Sequence, residues 1–324
     1  MEQDERTRLS TVYRRFAADE ANGKSPLYEE LARGVAADSE ILDFLITLPR
    51  QKRQPNLLFA AARSLLGTPD GWNRFRRGVA QRKDALHALM LMRSTQTNEP
   101  GRCAVLLPIL GSLPQPLALL EVGASAGLCL LPDFYGYDYG GRRLQPEGAH
   151  QEVPTFPCAV TGAAPLPDAL PRVVWRAGLD LDPIDLSDPG QVAWLEALVW
   201  PEQADRLERL RAAIAIATAN RPRLVEGDLR RDLARLANEI PRDATRVIFH
   251  TAVLTYVGST DRAEFARAVT SLSDIWISNE APQVFPEIAA RAATPGRPGQ
   301  FLLAVNGTPV AWTDPHGASL HWIG

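Results

Sequence analysis

The hydrophobic pattern of the chain changes character near residue 113. Before it, apolar residues recur three and four apart, and no alternating apolar/polar run of the kind a strand needs is present. Ser25-Pro26 ahead of "LYEELARGVAAD" predicts a helix start. The serine oxygen can accept from first-turn amides, the proline lacks the N–H that would go unpaired, and early carboxylates face the positive end of the helix dipole. "NLLFAAARSLL", "WNRFRRGVA", "DALHALMLMR" and "GRCAVLLPIL" predict further helices, so residues 1–112 read as an all-helical region.

From residue 117 short apolar runs take over: "LALLEV", "RVVWRAGLDL", "RLVEGDL", "TRVIFH" and "DIWISNEA". Helical patterns, "GQVAWLEALVW", "ADRLERLRAAIAIAT" and "DRAEFARAVTSL", separate most of them. Strand alternating with helix implies a parallel sheet covered on both faces. "QFLLAVNGTPVAWTD" places Asn306-Gly307 between two apolar runs, a hairpin signature, and "ASLHWI" comes after the turn "DPHG". The expected fold class is α/β: a Rossmann-like sheet over 113–324 closing in an antiparallel hairpin. The stretch 136–170, rich in Gly, Pro and Tyr, is expected to be an insertion with a small β-excursion.

Composition narrows the setting. The 324 residues are 45% hydrophobic and 23% charged, as in ordinary soluble domains. Apolar runs such as 105–110 are too short to span a bilayer, and "MEQDERTRLS" has no signal-like apolar core. Cys103, Cys129 and Cys158 lie far apart with no C-x-x-C, so neither a disulfide framework nor a metal site is expected, and a cytoplasmic protein is. Net charge is −3, so no nucleic-acid partner is expected; the basic clusters 50–53 and 74–77 read as solvated helix faces. Composition does not address oligomeric state.

The densest chemistry lies in "LALLEVGASAGLCLLPDF". Gly123-Ala124-Ser125-Ala126-Gly127 fits the G-x-S-x-G elbow of serine hydrolases, with Asp180 or Asp228 and His250 or His316 available as partners. That elbow needs preceding strands and an oxyanion loop, and the region upstream is helical. The alternative is a glycine turn after the first parallel strand, where backbone N–H groups at a helix N-terminus approach a ligand. Asp180 then ends the second strand, placed for ribose hydroxyls, and Asp228 the third. G-x-G-x-x-G is absent and no P-loop lysine is present, which disfavours a dinucleotide or nucleoside triphosphate.

Glu121-x-Gly123-x-Ser125-x-Gly127 resembles motif I of the class I S-adenosylmethionine-dependent methyltransferases, and "RVIFHTAVLTYVGSTDRAEFARAV" resembles their fourth strand and the helix after it. Over nearly the whole chain, "YRRFAADEANGKSPLYEELA", "RSTQTNEPGRCAVLLP", "LLEVGASAGLCLL" and "GLDLDPIDLSDP" resemble a bacterial family known as domain of unknown function 2332. The methyltransferase resemblance implies S-adenosylmethionine as cofactor and a small-molecule methyl acceptor. Glu121, Gly123, Ala124, Ser125, Gly127, Asp180 and Asp228 would line the cofactor, with Asp138 the rival to Asp180. His250, at the tip of the fourth strand, would take a proton and Tyr256 orient substrate; each reads equally as a packed strand-end residue. Gln96, Asn98, Glu99 and Arg102, ahead of the first strand, and Asn279 and Glu280, ending the fifth, would line the substrate side or serve as caps. A non-catalytic binding or regulatory descendant of the fold is the alternative. His316 reads as an exposed turn residue.

Overall fold

The computed structural model describes residues 2–96, 98–148 and 153–324. They form two compact units: residues 1–97 with 188–208, and residues 98–187 with 209–324.

The first unit is helical. α1 (Glu2–Arg15) continues through a π-helical turn at Phe16–Ala21, and α2 (Pro26–Ala37), α3 (Ser39–Ile46), α4 (Pro55–Leu66), α5 (Trp72–Gln81) and α6 (Lys83–Met92) come next. α7 (Cys103–Ser112) belongs to the second unit, whereas α8 (Pro189–Leu198) returns to the first. Tyr13, Phe16, Tyr28, Phe59 and Phe75 form its aromatic core, with Trp194 buried beside them and Trp200 packed on Phe16 and Tyr28. The Ser25 signal is honoured: its Oγ accepts from the Tyr28 N–H at 3.0 Å and donates to Glu202 Oε2 at 2.7 Å. Glu202 Oε1 also accepts from the Leu27 N–H, so a distant carboxylate completes the cap. The basic cluster at 50–53 is more than a solvated face. Arg53 donates to the carbonyls of Leu48 and Ile46 and pairs with Glu5, and Lys52 donates to the Arg93 carbonyl.

The second unit is built on strands β1 (Leu117–Val122), β2 (Gly136–Asp138), β3 (Arg143–Leu144), β4 (Thr155–Pro157), β5 (Ala159–Thr161), β6 (Val173–Asp180), β7 (Arg223–Glu226), β8 (Thr245–Thr251), β9 (Ile275–Glu280), β10 (Phe301–Val305), β11 (Thr308–Thr313) and β12 (Ser319–Trp322). The main sheet runs β7-β6-β1-β8-β9-β10-β11-β12-β5. Strands β7 to β9 in that order are parallel; β10, β11 and β12 add on antiparallel as a meander. The predicted hairpin is present, with Asn306 and Gly307 both at positive φ as a two-residue turn of this kind requires. α9 (Ala204–Ala219), α10 (Leu229–Ala237), α11 (Ser259–Leu272) and α12 (Pro286–Ala289) complete the helices.

Strand alternation divides the sheet into two faces. Ala118, Leu120 and Val122 of β1 join Ile248 and Trp276 in a core with Leu233 and Leu236 of α10 and Phe265 and Val269 of α11. Glu121 belongs to the opposite alternation.

The expected α-helix after the glycine turn does not form. Leu128–Leu130 and Pro132–Phe134 are single 3₁₀ turns instead. Only four residues separate Gly127 from Pro132, and a proline both lacks the N–H a helix needs and pushes its predecessor out of helical geometry. Arg176 of β6 holds these turns against the sheet through paired bonds to Asp133, at 2.9 and 2.8 Å, and by lying over the Phe134 ring. The insertion is the expected β-excursion, a three-stranded sheet β3-β2-β4, although 149–152 lie outside the described residues. Tyr135, Tyr137 and Tyr139, two apart, send buried hydroxyls to the carbonyls of Leu128, Pro132 and Ala104. Burial pushes all three phenols up, so they remain donors.

Ser25→Ala removes the α2 cap and leaves Glu202 without its hydroxyl donor. We expect a loss of about 1–2 kcal/mol in urea unfolding of the full chain monitored by far-ultraviolet circular dichroism.

Candidate functional site

The loop after β1 is held in an unusual backbone path. Gly123, Ser125 and Gly127 all take positive φ, at 73°, 50° and 70°. A side chain at Gly123 would also meet Val253, 2.2 Å away, from the loop after β8. Every backbone N–H of this loop has a partner within the chain. Gly123 donates to the Leu179 carbonyl, Ser125 to Asp180 Oδ2 at 2.8 Å, Ala126 to Asn98 Oδ1 at 2.7 Å and Gly127 to the Ala124 carbonyl. Ala124 makes a longer bond to Leu179, at 3.4 Å. Asn98 Nδ2 donates to Ser125 Oγ at 2.7 Å. Asn98 is therefore a splint, gripping the loop by one amide and one hydroxyl. The partner of the Ser125 hydroxyl is Asn98, not a histidine, so the elbow arrangement of a hydrolase is not assembled.

Asp180 stands at the tip of β6, its Oδ1 accepting from the Asp182 N–H at 2.9 Å. Each oxygen thus has one backbone donor and spare lone-pair capacity. Leu181, the next residue, is 71% exposed. Asp138 sits in the small sheet, where it accepts from the Gly140 N–H and pairs with Arg143, which removes it as the rival of Asp180. Asp228 caps α10 by accepting from the Arg230 N–H and also binds the Arg230 guanidinium; that pairing pulls its pKa down to about 2. Tyr256, in a 3₁₀ turn after β8, is 70% exposed.

On the face of β1 that carries Glu121 lies a buried polar group of residues. Arg102 fixes two segments: Nη1 donates to the Thr251 carbonyl at 3.1 Å and Oγ1 at 3.2 Å, and Nε donates to the Pro315 carbonyl at 2.8 Å. Glu99 Oε1 accepts from the Gly101 N–H, and the Cys129 thiol donates to the Glu99 carbonyl. Asn279 Oδ1 accepts from Thr313 at 2.8 Å. Two atoms there, Glu121 Oε2 and Asn279 Nδ2, are buried without a hydrogen-bond partner among the described residues. Burial drives the Glu121 carboxyl well above its ordinary range, Cys129 and Asp180 add to the rise, and the Arg102 charge opposes it. Gln96 lies in the helical unit, its N–H donating to the Ser94 carbonyl.

His250 does not fill the catalytic role expected of it. The ring is 0% exposed; Trp276 Nε1 donates to its Nε2 at 3.0 Å, and Nδ1 lies 2.8 Å from Glu280 Oε1. An indole N–H only donates, so Nε2 is the acceptor and Nδ1 carries the proton toward Glu280. Both nitrogens are spent. Glu280 Oε1 also accepts from the Val253 and Leu254 N–H groups, so this oxygen ties the loop after β8 to the histidine, while Oε2 is buried without a hydrogen-bond partner among the described residues. The cause is register. His250 pairs with Ser278 across β9 and alternates onto the face packed against α10 and α11, away from Glu121.

His316 is the exposed turn residue expected. His316 has Nδ1 3.7 Å from Glu99 Oε2, with its side chain 46% exposed. Beside the loop, a cleft of about 240 Å³ opens against Ala126, Ile184, Ala217 and Leu224, with Asp185 and Arg221 at its polar side. Among the described residues no cluster of three or more potential metal ligands occurs, and no helix is long and apolar enough to cross a membrane.

Residues 10–322 match a family described as an uncharacterized protein conserved in bacteria, DUF2332, and the chain belongs to it. No curated protein matches the chain, and no solved structure does.

The Glu121 carboxyl makes stability pH-dependent in a stated direction. In the unfolded chain it ionises near 4.5, whereas in the folded protein it keeps its proton to higher pH. Between those values the folded state holds the extra proton, so stability falls as pH rises from the lower to the higher. Glu121→Gln lacks this term. Urea unfolding should find the variant and wild type alike at about pH 4 and the variant increasingly favoured toward about pH 8; a widening advantage for wild type would contradict the assignment.

Proposed function

We propose that this member of the family binds S-adenosylmethionine at the carboxyl edge of its parallel strands and transfers the methyl group to a small molecule. The observation that carries the reading is the strand order. Numbered as parallel strands alone, β7-β6-β1-β8-β9 is 3-2-1-4-5, whose direction of winding reverses beside β1, and ligands of such sheets bind outside the carboxyl ends at that reversal. The loop Gly123–Gly127, Asp180 and the Thr251–Tyr256 segment all lie at that edge.

The residues present suit a nucleoside with a charged tail. Asp180 keeps acceptor capacity for ribose hydroxyls, and Leu181 offers an exposed apolar surface for a ring beside it. Glu121 Oε2 is an unpartnered buried carboxyl oxygen near the end of the central strand, and an ammonium beside it would favour its ionised, accepting form. Bound there, the cofactor would supply a methyl group on a sulfonium, an electrophile that needs an aligned nucleophile more than it needs acid. The chain's own work is positioning. Asn98 and Asp180 fix the loop, Arg102 fixes the Thr251 and Pro315 segments, and Tyr256 presents a ring at the acceptor side.

One observation favours the alternative of a non-catalytic binding or regulatory module. All five N–H groups of the loop are bonded within the chain, so a ligand meets side chains there and no free amides. Isothermal titration with S-adenosylmethionine and S-adenosylhomocysteine tests the common part. We expect saturable binding that Asp180→Ala weakens about tenfold or more, in keeping with loss of a charge-assisted bond of roughly 1.5–3 kcal/mol. Absence of heat with either ligand would sink the proposal. Binding without turnover across a panel of amines, phenols and carboxylic acids would select the non-catalytic module.

A further inference from the structure

The transfer reading needs somewhere for the acceptor's proton to go, and His250 cannot receive it. We propose that His316, oriented by Glu99, is the proton-accepting group of this edge, and that the acceptor molecule is therefore a neutral N–H or O–H nucleophile. This rests on the methyl-transfer reading and adds to it the residue and the class of substrate.

The turn that carries His316 is closely built. Asp314 Oδ1 accepts from the His316 N–H at 2.8 Å and its carbonyl from the Gly317 N–H at 3.0 Å, closing the turn. The turn is docked on the segment ahead of α7 by backbone contact. A Cβ at Gly317 would lie 2.0 Å from the Gly101 carbonyl oxygen, and one at Gly101 would lie 2.6 Å from the His316 oxygen. Arg102 Nε anchors the same turn at Pro315. These contacts leave the imidazole 3.7 Å from Glu99 Oε2, a carboxylate that is itself buried and held through Oε1 by the Gly101 N–H. The carboxylate is within ion-pair reach of Nδ1 and leaves the other ring nitrogen for a substrate, an arrangement of carboxylate and imidazole that serves base catalysis.

The connection to the cofactor edge is short. Glu99 is the neighbour of Asn98, the residue that grips Ser125 and Ala126, and its carbonyl accepts from Cys129, just past that loop. His250 is sealed at 0% exposure, whereas the His316 side chain is 46% exposed on the side of the sheet where Thr251 and Arg102 meet. In the transfer step the nucleophile's lone pair forms the bond to the methyl carbon and the carbon–sulfur pair stays on sulfur. The N–H or O–H electrons remain on the nucleophile, and its proton passes to the imidazole nitrogen remote from Glu99. From there it is lost to solvent. Glu99 touches neither acceptor nor methyl group and acts as a positioning residue.

The test reads the pair directly before it reads turnover. Ring C–H resonances of His316, assigned by their loss in His316→Gln, are tracked against pH in the full-length protein. Of the charged groups around this turn, Glu99 lies 3.7 Å from the ring, Asp314 accepts from the His316 backbone N–H and Arg102 donates to the Pro315 carbonyl. Removing the Glu99 charge disfavours imidazolium, so Glu99→Gln should lower the His316 midpoint by about one unit. In methyl-transfer assays on the amine, phenol and carboxylic acid panel, His316→Gln should lower kcat about 10²–10⁴-fold with unchanged S-adenosylmethionine affinity. Glu99→Gln should move the acidic limb of the rate profile by the same amount as the resonance. Retained cofactor binding with a His316 midpoint indifferent to Glu99→Gln overturns this inference alone. Retained binding with kcat unchanged in His316→Gln does the same. Wild-type protein that binds no S-adenosylmethionine overturns the functional reading and this inference with it.

Discussion

The structure turns on a loop that must close on its own chain. Between Gly123 and Gly127 the backbone takes positive φ three times in five residues, so it cannot run on as a helix whose first turn would order the amides. Left unpaired, buried N–H groups would cost about 1–3 kcal/mol each. The chain meets that demand from three directions: Leu179 and Asp180 of the neighbouring strand, Ala124 within the loop, and Asn98 from before α7. Because Asn98 is one residue from Glu99 and close to Arg102, satisfying the loop also positions the polar segment that reaches Thr251 and Pro315. The carboxyl edge is thereby one hydrogen-bonded assembly.

The absence of a helix after β1 has a second effect. Where a helix would have followed β1, the 3₁₀ turn Leu128–Leu130 packs on β1 and β6, and the turn Pro132–Phe134 packs on α7. Such a cover needs side chains to do what helical hydrogen bonds would have done, and Arg176 and the three buried tyrosines donate one by one to its carbonyls and to the Asp133 carboxylate. A region of this kind depends on specific residues more than on general helical propensity.

Much of the fold was legible. The helices and strands predicted from hydrophobic periodicity are present, because a 3.6-residue or a buried short-run pattern survives in any tertiary setting, and Asn306-Gly307 admits few conformations besides its turn. α10 was missed, because "RLVEGDL" reads as one apolar run, although Leu229, Leu233 and Leu236 fall on one face behind the Asp228 cap. The 3₁₀ path was signalled by Pro132, and the tyrosine ladder by the two-residue spacing of 135, 137 and 139. The site was less legible, since it depends on strand parity and distant contacts. His250 and Thr251 are neighbours in sequence, yet one is sealed under α11 and the other faces Arg102. Whether a strand-end residue faces a ligand or a core is decided by register against β9, which the local sequence does not contain. His316 needed knowledge that a turn beyond β11 meets Glu99.

The strand β5 has a bearing on how this molecule is made. It comes from the middle of the chain, lies at the far end of the sheet from β6 and β7, and among the described residues pairs with β12 alone. During synthesis its partner leaves the ribosome long after β5 itself. Until then β5 has neither edge paired and β11 lacks its outer neighbour, and unpaired strand edges can pair with other chains. The finished sheet ends at β5 on one side and β7 on the other, so the β5 end of it is completed only when the last strand of the chain, β12, is made.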